Sequence, residues 1–236
     1  MDPKFNTIAK KLKHIGYTTC HSGKWHLSNN PLDYGFDVNI AGNHYGAPGS
    51  YYPPYIRGDR QLISEKGKSE YLTDLVMERT LLFLDNVEDP FFLHYSPYAV
   101  HTPIEPVDSL IYKYRDKPPY KGQRNPEYAT MVDNLDRNIG LLIQKLRKRD
   151  LFDNTFIIFT LSSRRTNKSF SYSSPYKCSH IFCQFDQTVH GSEACRLIPG
   201  LSSTIRNNSV TVSGDRMFMC LVTLCTLTLT NSAATW

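Results

Sequence analysis

A lysine and a histidine stand two residues apart in the stretch Gly23-Lys24-Trp25-His26-Leu27. Side chains alternate between the faces of an extended segment, so this spacing predicts that Lys24 and His26 project to the same side while Trp25 turns into the protein. A fixed cation beside a titratable imidazole suits the binding of an anion together with proton transfer. On spacing alone, a surface lysine and a satisfied histidine at a strand end is the commoner explanation of such a pair.

A second candidate histidine follows the next apolar run along the chain. His101 stands in Tyr98-Ala99-Val100-His101-Thr102-Pro103, after the run Phe91-Phe92-Leu93-His94-Tyr95. His94 alternates with apolar neighbours inside the run, which favours a packed core histidine. His101 lies beyond the run and joins Lys24 and His26 as a site candidate, although His-Thr-Pro alone is also typical of a turn.

The elements that must position these residues alternate between helices and buried strands. Amphipathic patterns predict helices over 5–15 and 69–87, and a third that starts at Pro126 with Asn125 as its cap. Apolar runs predict strands over 17–22, 90–95 and 155–160, whereas residues 28–68 are rich in Gly, Pro, Asn and Tyr and predict a long loop region with at most short strands. This alternation predicts an α/β fold with a mostly parallel sheet and flanking helices.

The apolar positions of the helices predict which side chains face the core. In the first helix they are Phe5, Ile8, Leu12 and Ile15, with Gly16 as the stop signal. In the second and third helices they are Leu72, Leu75, Val76, Leu82, Phe83, Tyr128, Met131, Val132, Leu135, Ile139, Leu142 and Leu146.

Parallel sheets bind their ligands beyond the carboxyl ends of the strands. His26 follows the first predicted strand and His101 follows the second. We therefore expect Lys24, His26 and His101 to surround one pocket.

Composition excludes some function classes. The formal net charge of +5 is mild and no dense basic stripe is present, so a nucleic-acid partner is not indicated. No window is apolar over the roughly 20 residues that a membrane span needs. Met1-Asp2-Pro3-Lys4 does not open a signal peptide, because no apolar region follows it, and the sequence leaves the compartment unknown.

Four motifs together resemble one known family. In order and spacing they are similar to the sulfatases, which belong to the alkaline-phosphatase-like superfamily, and the resemblance covers about residues 5 to 160. The motifs are Gly23-Lys24-Trp25-His26-Leu27, Asp33-Tyr34-Gly35-Phe36-Asp37, His101-Thr102-Pro103 and Asn154-Thr155-Phe156-Ile157-Ile158-Phe159-Thr160.

The resemblance implies a role for each candidate. Lys24 would bridge the nucleophile and the sulfate, and His26 would hold and deprotonate the formylglycine hydrate. His101 would contact the sulfate and protonate the departing oxygen, since sulfate-ester cleavage builds negative charge there. The implied reaction is hydrolysis of sulfuric esters on carbohydrate or aryl substrates, with calcium bound in the intact family. Phosphodiesterases and phosphonate hydrolases share the fold and remain an alternative. Members of the family are usually secreted, periplasmic or lysosomal.

Two parts of the loop region are further candidates for contact with substrate. His44 stands in a Gly/Asn-rich loop and could touch substrate. Tyr51, Tyr52 and Tyr55 form an aromatic loop with Pro53 and Pro54, which would suit a sugar ring if exposed and is equally explained by ordinary loop packing.

The resemblance does not extend to the motifs that supply the nucleophile and the metal ligands. None of the six cysteines stands in Cys-x-Pro-Ser-Arg, the motif whose cysteine becomes formylglycine, and we expect that motif upstream. Where sulfatases continue Ser-Asp-Asn-Gly, this chain reads Leu161-Ser162-Ser163-Arg164-Arg165. Calcium requires several oxygen ligands, mostly carboxylate, and two arginines would repel it. We expect an internal fragment of the N-terminal catalytic domain (1–160), which binds no metal and is inactive as written.

Residues 161–236 differ in character from the rest. They are rich in Ser, Thr and Cys, and we expect an unrelated, irregular and poorly ordered tail. The change of character within a motif indicates a frameshift, a retained intron or a misjoined gene. Cys178, Cys183, His190 and Cys195 could in principle form a small zinc-binding tail in a non-enzymatic fragment. The run from Met217 to Thr230 could form an isolated strand or could promote aggregation.

Overall fold

The computed structural model describes residues 2–64, 70–88, 90–119, 124–163, 177–183 and 218–226. Three helices lie within these ranges: α1 (Ile8–His14), α2 (Leu72–Asn86) and α3 (Pro126–Lys148). The strands are β1 (Thr18–Gly23), β2 (Val38–Ile40), β3 (Ile56–Arg57), β4 (Arg60–Gln61), β5 (Phe91–Ser96), β6 (Thr155–Ser163), β7 (Lys177–Cys183) and β8 (Phe218–Thr226).

Six of the strands form one sheet in the order β2-β1-β5-β8-β6-β7. All neighbouring pairs are parallel except β6 and β7, which are antiparallel. The predicted α/β fold with a mostly parallel sheet and flanking helices is confirmed. The carboxyl ends of β1 and β5 are level, because Gly23 pairs with Ser96. The segments that follow these two strands therefore begin side by side.

Period-two alternation along β5 separates two apolar layers. Phe91, Leu93 and Tyr95 are buried in the larger cluster, which also contains residues of α2 and α3. Phe92 lies in the smaller cluster with Leu12 of α1. The sheet therefore has α1 on one face and the α2–α3 pair on the other.

Local signals set both ends of α1. The hydroxyl of Thr7 accepts a hydrogen bond from the Lys10 amide, which caps the amino end. Gly16 has φ +91°, as expected of a helix stop. The predicted inward face is wrong in part, since Phe5 and Ile15 are 61% and 60% exposed and Ile8 is also exposed. The helix is short and packs through Leu12 and Ala9, and no element within the described ranges covers its other apolar residues.

α3 begins as predicted, with the Asn125 side chain accepting a hydrogen bond from the Tyr128 amide and Pro126 at the first position. Most predicted core positions of α2 and α3 are buried or half-buried, but Leu82 and Val132 are exposed, and their inward assignment is wrong. The two helices also share a polar contact, because Asp74 accepts hydrogen bonds of 2.7 Å from both Asn134 and Asn138.

Strand β8 lies between β5 and β6 and pairs in parallel with both. It is therefore not an isolated strand. It separates β5 from β6, which do not pair with each other directly. The suggested zinc site lies partly outside the described residues, because His190 and Cys195 are not among them.

The described part of the loop region, residues 28–64, contains only short elements, as predicted. They are a 3-10 turn at Pro31–Tyr34, strand β2, and the hairpin of β3 and β4. Among the residues described here, no helix is both long and apolar enough to cross a membrane.

Candidate functional site

A tight chain reversal at the end of β1 delivers Lys24 to the carboxyl edge of the sheet. Gly23 has φ +98°, a left-handed conformation that favours glycine. A Cβ at this position would overlap the carbonyl oxygen of Ser96. The Lys24 amide donates to that same oxygen at 2.6 Å, which ties the segment after β1 to the end of β5.

His26 is held by the loop that follows β2. Its amide donates to the carbonyl of Asn43 at 2.9 Å, and its ring lies against Gly46. The backbone of His26 is left-handed, with φ +61°, and β1 has already ended at Gly23. The extended geometry predicted for Lys24 and His26 is therefore wrong, and loop contacts rather than strand alternation set the direction of the imidazole.

Trp25 turns into the protein, as predicted. It packs edge-on against His21 and Phe36, with ring centroids 5.1 and 5.8 Å apart. Its indole N–H donates to the Ser28 hydroxyl at 2.9 Å. This anchor fixes the backbone between Lys24 and His26.

His101 lies in the irregular segment after β5. Its amide donates to the carbonyl of Tyr98 at 3.0 Å. The ring nitrogen Nδ1 lies 3.0 Å from the carbonyl oxygen of Thr102, which can only accept a hydrogen bond. The Thr102 hydroxyl also lies 3.2 Å from Nδ1, and it can donate as well as accept. When both ring nitrogens carry protons, Nδ1 donates to Thr102 and Nε2 is left to donate to an anion.

The pKa of His26 responds to the charges of the other two candidates. Desolvation of the His26 ring lowers its pKa, and the positive charges of Lys24 and of His101 lower it further. Both groups act on one imidazole, so Lys24, His26 and His101 share one electrostatic neighbourhood. Positive charges of this kind can attract an oxyanion, and a histidine whose pKa is lowered is unprotonated near pH 7 and can accept a proton.

His44 belongs to a different group of contacts. Its ring packs on that of Tyr45 at 4.0 Å, and its charge helps to lower the pKa of Asp59, after the hydrogen bond from Tyr45. The charges acting on His26 are those of Lys24 and His101, and His44 is not among them. Its suggested contact with substrate stays a prediction.

The aromatic loop is packed rather than exposed. Tyr51 and Tyr55 are 0% and 7% exposed, so neither can offer a free ring face to a sugar. Their hydroxyls donate to the carbonyls of His101 and Glu70. Of the two explanations offered by the sequence, loop packing is correct for these two tyrosines.

The described residues do not fit a calcium site. No group of three or more His, Cys, Asp or Glu side chains in the described part of the chain could hold a metal ion. The residues that directly follow β6 in the sequence are Arg164 and Arg165, and neither carries a carboxylate. Hard cations need oxygen ligands. No chemical step in this chain is therefore assigned to a metal.

Sequence reasoning missed the contacts through which several residues hold the site. Gly46 receives the His26 ring, Asn43 accepts from its amide, and Tyr51 donates to His101. Nothing in their local pattern marks them, because each acts through a contact between distant segments. His21 is a further omission: its Nδ1 lies 3.2 Å from Nδ1 of His94, and this pair is packed under the site in the α1 layer.

A cavity of about 500 Å³ lies elsewhere, between the β2 edge, the β4 end of the hairpin and α2. Arg79, Asn39 and Phe83 are among its lining residues, whereas Lys24, His26 and His101 are not.

Comparisons with known proteins identify relatives of this chain. A family model described as Sulfatase matches residues 2–162. The chain is 27% identical over 177 residues to N-acetylgalactosamine-6-sulfatase of Homo sapiens, covering 65% of this chain and 31% of the relative. It is 35% identical over 97 residues to N-acetylglucosamine-6-O-sulfatase of Bacteroides thetaiotaomicron, covering 40% of this chain and 16% of the relative. Arylsulfatase of Hemicentrotus pulcherrimus is 28% identical over 177 residues, covering 65% and 30%.

A solved structure described as Ps i-CgsB in complex with k-i-k-neocarrahexaose is also similar. Its TM-score is 0.54 at 27% sequence identity, and the match covers 67% of this chain and 40% of that one. The chain spans about a third or less of the length of the curated relatives described above.

Proposed function

The chain belongs to the sulfatase family, and on this premise we propose that Lys24, His26 and His101 form the part of a sulfate-ester hydrolase site that recognises the sulfate group. The single observation that carries the proposal is electrostatic. The charges of Lys24 and His101 both act on the imidazole of His26, which supports grouping these three residues in one site. Three basic groups around one region suit a tetrahedral oxyanion.

Each side chain has a physically distinct task. The Lys24 ammonium offsets the charge on the sulfuryl oxygens, more strongly in a closed site than in water. His101, with Nδ1 directed at the Thr102 carbonyl, can donate from Nε2 to the departing oxygen. The lowered pKa of His26 suits a group that removes a proton from the attacking nucleophile.

The reaction needs groups that these 236 residues do not supply. The sequence contains no Cys-x-Pro-Ser-Arg from which formylglycine would be made, and its described residues hold no calcium ligand set. We infer that formylglycine and calcium belong to the intact relatives, and that this chain binds the sulfate group without hydrolysing the ester.

The names of the relatives favour a carbohydrate substrate. Two of them are named for a 6-sulfate on an N-acetylated amino sugar, and the solved structure holds an oligosaccharide. A third relative is named arylsulfatase, so an aryl ester is the second candidate. None of the relatives described above is a phosphodiesterase or a phosphonate hydrolase, and that alternative has no observation in its favour.

A calorimetric titration tests the proposal. The chain should bind N-acetylgalactosamine 6-sulfate and should not bind the unsulfated sugar at the same concentrations. The variants Lys24→Met and His101→Gln should each weaken binding about tenfold, since each removes a hydrogen-bond donor to the sulfate group. Equal affinity for the sulfated and unsulfated sugars would overturn the proposal.

A turnover assay tests the expected inactivity separately. With an aryl sulfate, with or without added calcium, the chain should release no product above the rate in buffer. Product release abolished by His101→Gln would overturn the inference that the chain is inactive as written.

A further inference from the structure

His101 sits in a segment without regular secondary structure, so other contacts must hold it in place. Residues 97–107 form neither helix nor strand. The His101 ring is partly buried, and among the described residues its hydrogen-bond contacts are with the adjacent Thr102. The direction of the ring therefore depends on how the backbone of this segment is fixed.

Tyr51 reaches that backbone from the aromatic loop. Its hydroxyl donates to the carbonyl oxygen of His101 at 3.0 Å. The Tyr51 side chain is 0% exposed, and its ring stacks on that of Tyr71 with centroids 5.5 Å apart and planes 15° apart. A buried, stacked ring holds its hydroxyl in one place.

Glu105 provides a second link between the aromatic loop and the segment that contains His101. Its carboxylate oxygen Oε2 accepts hydrogen bonds from the Tyr51 amide at 2.5 Å and from the Ser50 hydroxyl at 2.9 Å. Its carbonyl accepts from the Tyr71 hydroxyl at 3.1 Å. Hydrogen bonds to a charged carboxylate are among the stronger ones in proteins.

We propose that Tyr51 and Glu105 are positioning residues of the sulfate site: the Tyr51 hydroxyl, aligned by the Glu105 carboxylate, holds the backbone of His101 so that its imidazole faces Lys24 and His26. The inference rests on the proposed function of that site. It assigns the aromatic loop a role in aligning a site residue in place of contact with a sugar ring.

The test compares Tyr51→Phe with Tyr55→Phe. Both changes remove one hydroxyl from a buried tyrosine of the same loop, but the Tyr55 hydroxyl donates to Glu70 and not to His101. In Tyr51→Phe, affinity for inorganic sulfate should fall about three- to tenfold, the effect of one lost hydrogen bond. Tyr55→Phe should bind sulfate like the parent. Equal effects of the two changes would overturn the proposal.

A second readout does not depend on sulfate. The charge of His101 helps to lower the pKa of His26, so the His26 titration, followed by NMR, reports how near His101 lies. In Tyr51→Phe without ligand, this pKa should rise. If the parent binds no sulfate, the proposed function fails, whereas an unchanged His26 titration in Tyr51→Phe refutes the positioning role.

Glu105 provides the conservative comparison. Glu105→Gln keeps an oxygen acceptor for the Tyr51 amide and should retain most of the sulfate affinity. Glu105→Ala removes the acceptor and should lose at least as much affinity as Tyr51→Phe, with the same rise in the His26 pKa. If Glu105→Ala folds and neither sulfate binding nor the His26 titration changes, the assignment of Glu105 is wrong.

Discussion

The ring of His26 lies directly on the backbone of Gly46. A Cβ at position 46 would come within 2.5 Å of both Cε1 and Nδ1 of that ring, closer than carbon contacts allow. The absence of a side chain at Gly46 is thus a condition for the observed position of the imidazole.

Gly46→Ala should therefore displace His26 and weaken the site. We expect sulfate affinity to fall about fivefold, because one of three basic groups moves away. Gly140→Ala is the matched control, since a Cβ there meets nothing within 4 Å and the residue lies inside α3. It should stabilise the fold by about 0.5–1 kcal/mol and leave sulfate binding unchanged. Equal binding by both variants would show that Gly46 does not set the ring position.

Gly23 can be tested in the same way, with Gly16 as its control. Both have positive φ, +98° and +91°, so both substitutions by alanine carry backbone strain of about 1–2 kcal/mol. Only at Gly23 would the new Cβ also overlap a backbone atom, the Ser96 carbonyl oxygen. In chemical denaturation, Gly23→Ala should lower the free energy of unfolding by at least about 2 kcal/mol more than Gly16→Ala. Equal losses would contradict the close packing of these two strand ends.

The charge of Lys24 should be measurable at His26. Because this charge lowers the His26 pKa, Lys24→Met should raise that pKa. The control Lys148→Met removes an exposed lysine at the far end of α3. An NMR titration of the histidine ring protons separates the two cases. A His26 titration shifted equally by both variants would point to net charge, and not to proximity, as the cause.

The buried pair of His21 and His94 predicts how stability depends on pH. Burial lowers the pKa of His94 to about 4, and burial followed by the charge of His94 lowers the pKa of His21 well below its usual value. In the unfolded chain both rings titrate near the ordinary histidine pKa of about 6.5. Below that pH the unfolded state binds protons that the folded state does not, so stability is fully present above about pH 6.5 and is lost towards pH 4.

The loss attributable to His94 alone is on the order of 3 kcal/mol once protonation is complete. His94→Gln removes one titrating ring and keeps a hydrogen-bond partner for His21 Nδ1. Thermal melts between pH 4 and 8 should show a shallower decline for this variant than for the parent. Parallel curves for the two proteins would contradict the prediction.

Calcium should not stabilise this chain, because its described residues offer no carboxylate cluster. Ligands that bind only the folded state raise the melting temperature. Melts in calcium chloride should therefore match melts in sodium chloride of equal ionic strength. A rise specific to calcium would reveal a binding site and overturn the exclusion.

Sequence reasoning succeeded where single residue types decide local structure. Asn125 with Pro126 starts α3, and Gly16 ends α1, because capping and left-handed backbone depend on neighbouring residues. Periodicity predicts which side chains share a helix face but not whether another element covers that face. Phe5 and Leu82 are exposed for this reason.

The sequence suggests the members of the candidate site but not their geometry. Parallel strands place the segments after β1 and β5 together, which is why Lys24 and His101 could be grouped from the sequence. The direction of His26 could not be predicted, since contacts with Asn43 and Gly46 set it. Contacts between segments far apart in the chain leave no local pattern, and the insertion of β8 between β5 and β6 is another example.

One NMR titration with sodium sulfate tests the central claim most directly. The ring protons of His26 and His101 should shift along one common saturation curve, while those of buried His94 stay in place, and sodium chloride at equal ionic strength should not reproduce the shifts. Lys24→Met should weaken that common curve. Separate curves for His26 and His101, or no saturable shift of either, would contradict the claim that these groups with Lys24 form one oxyanion site.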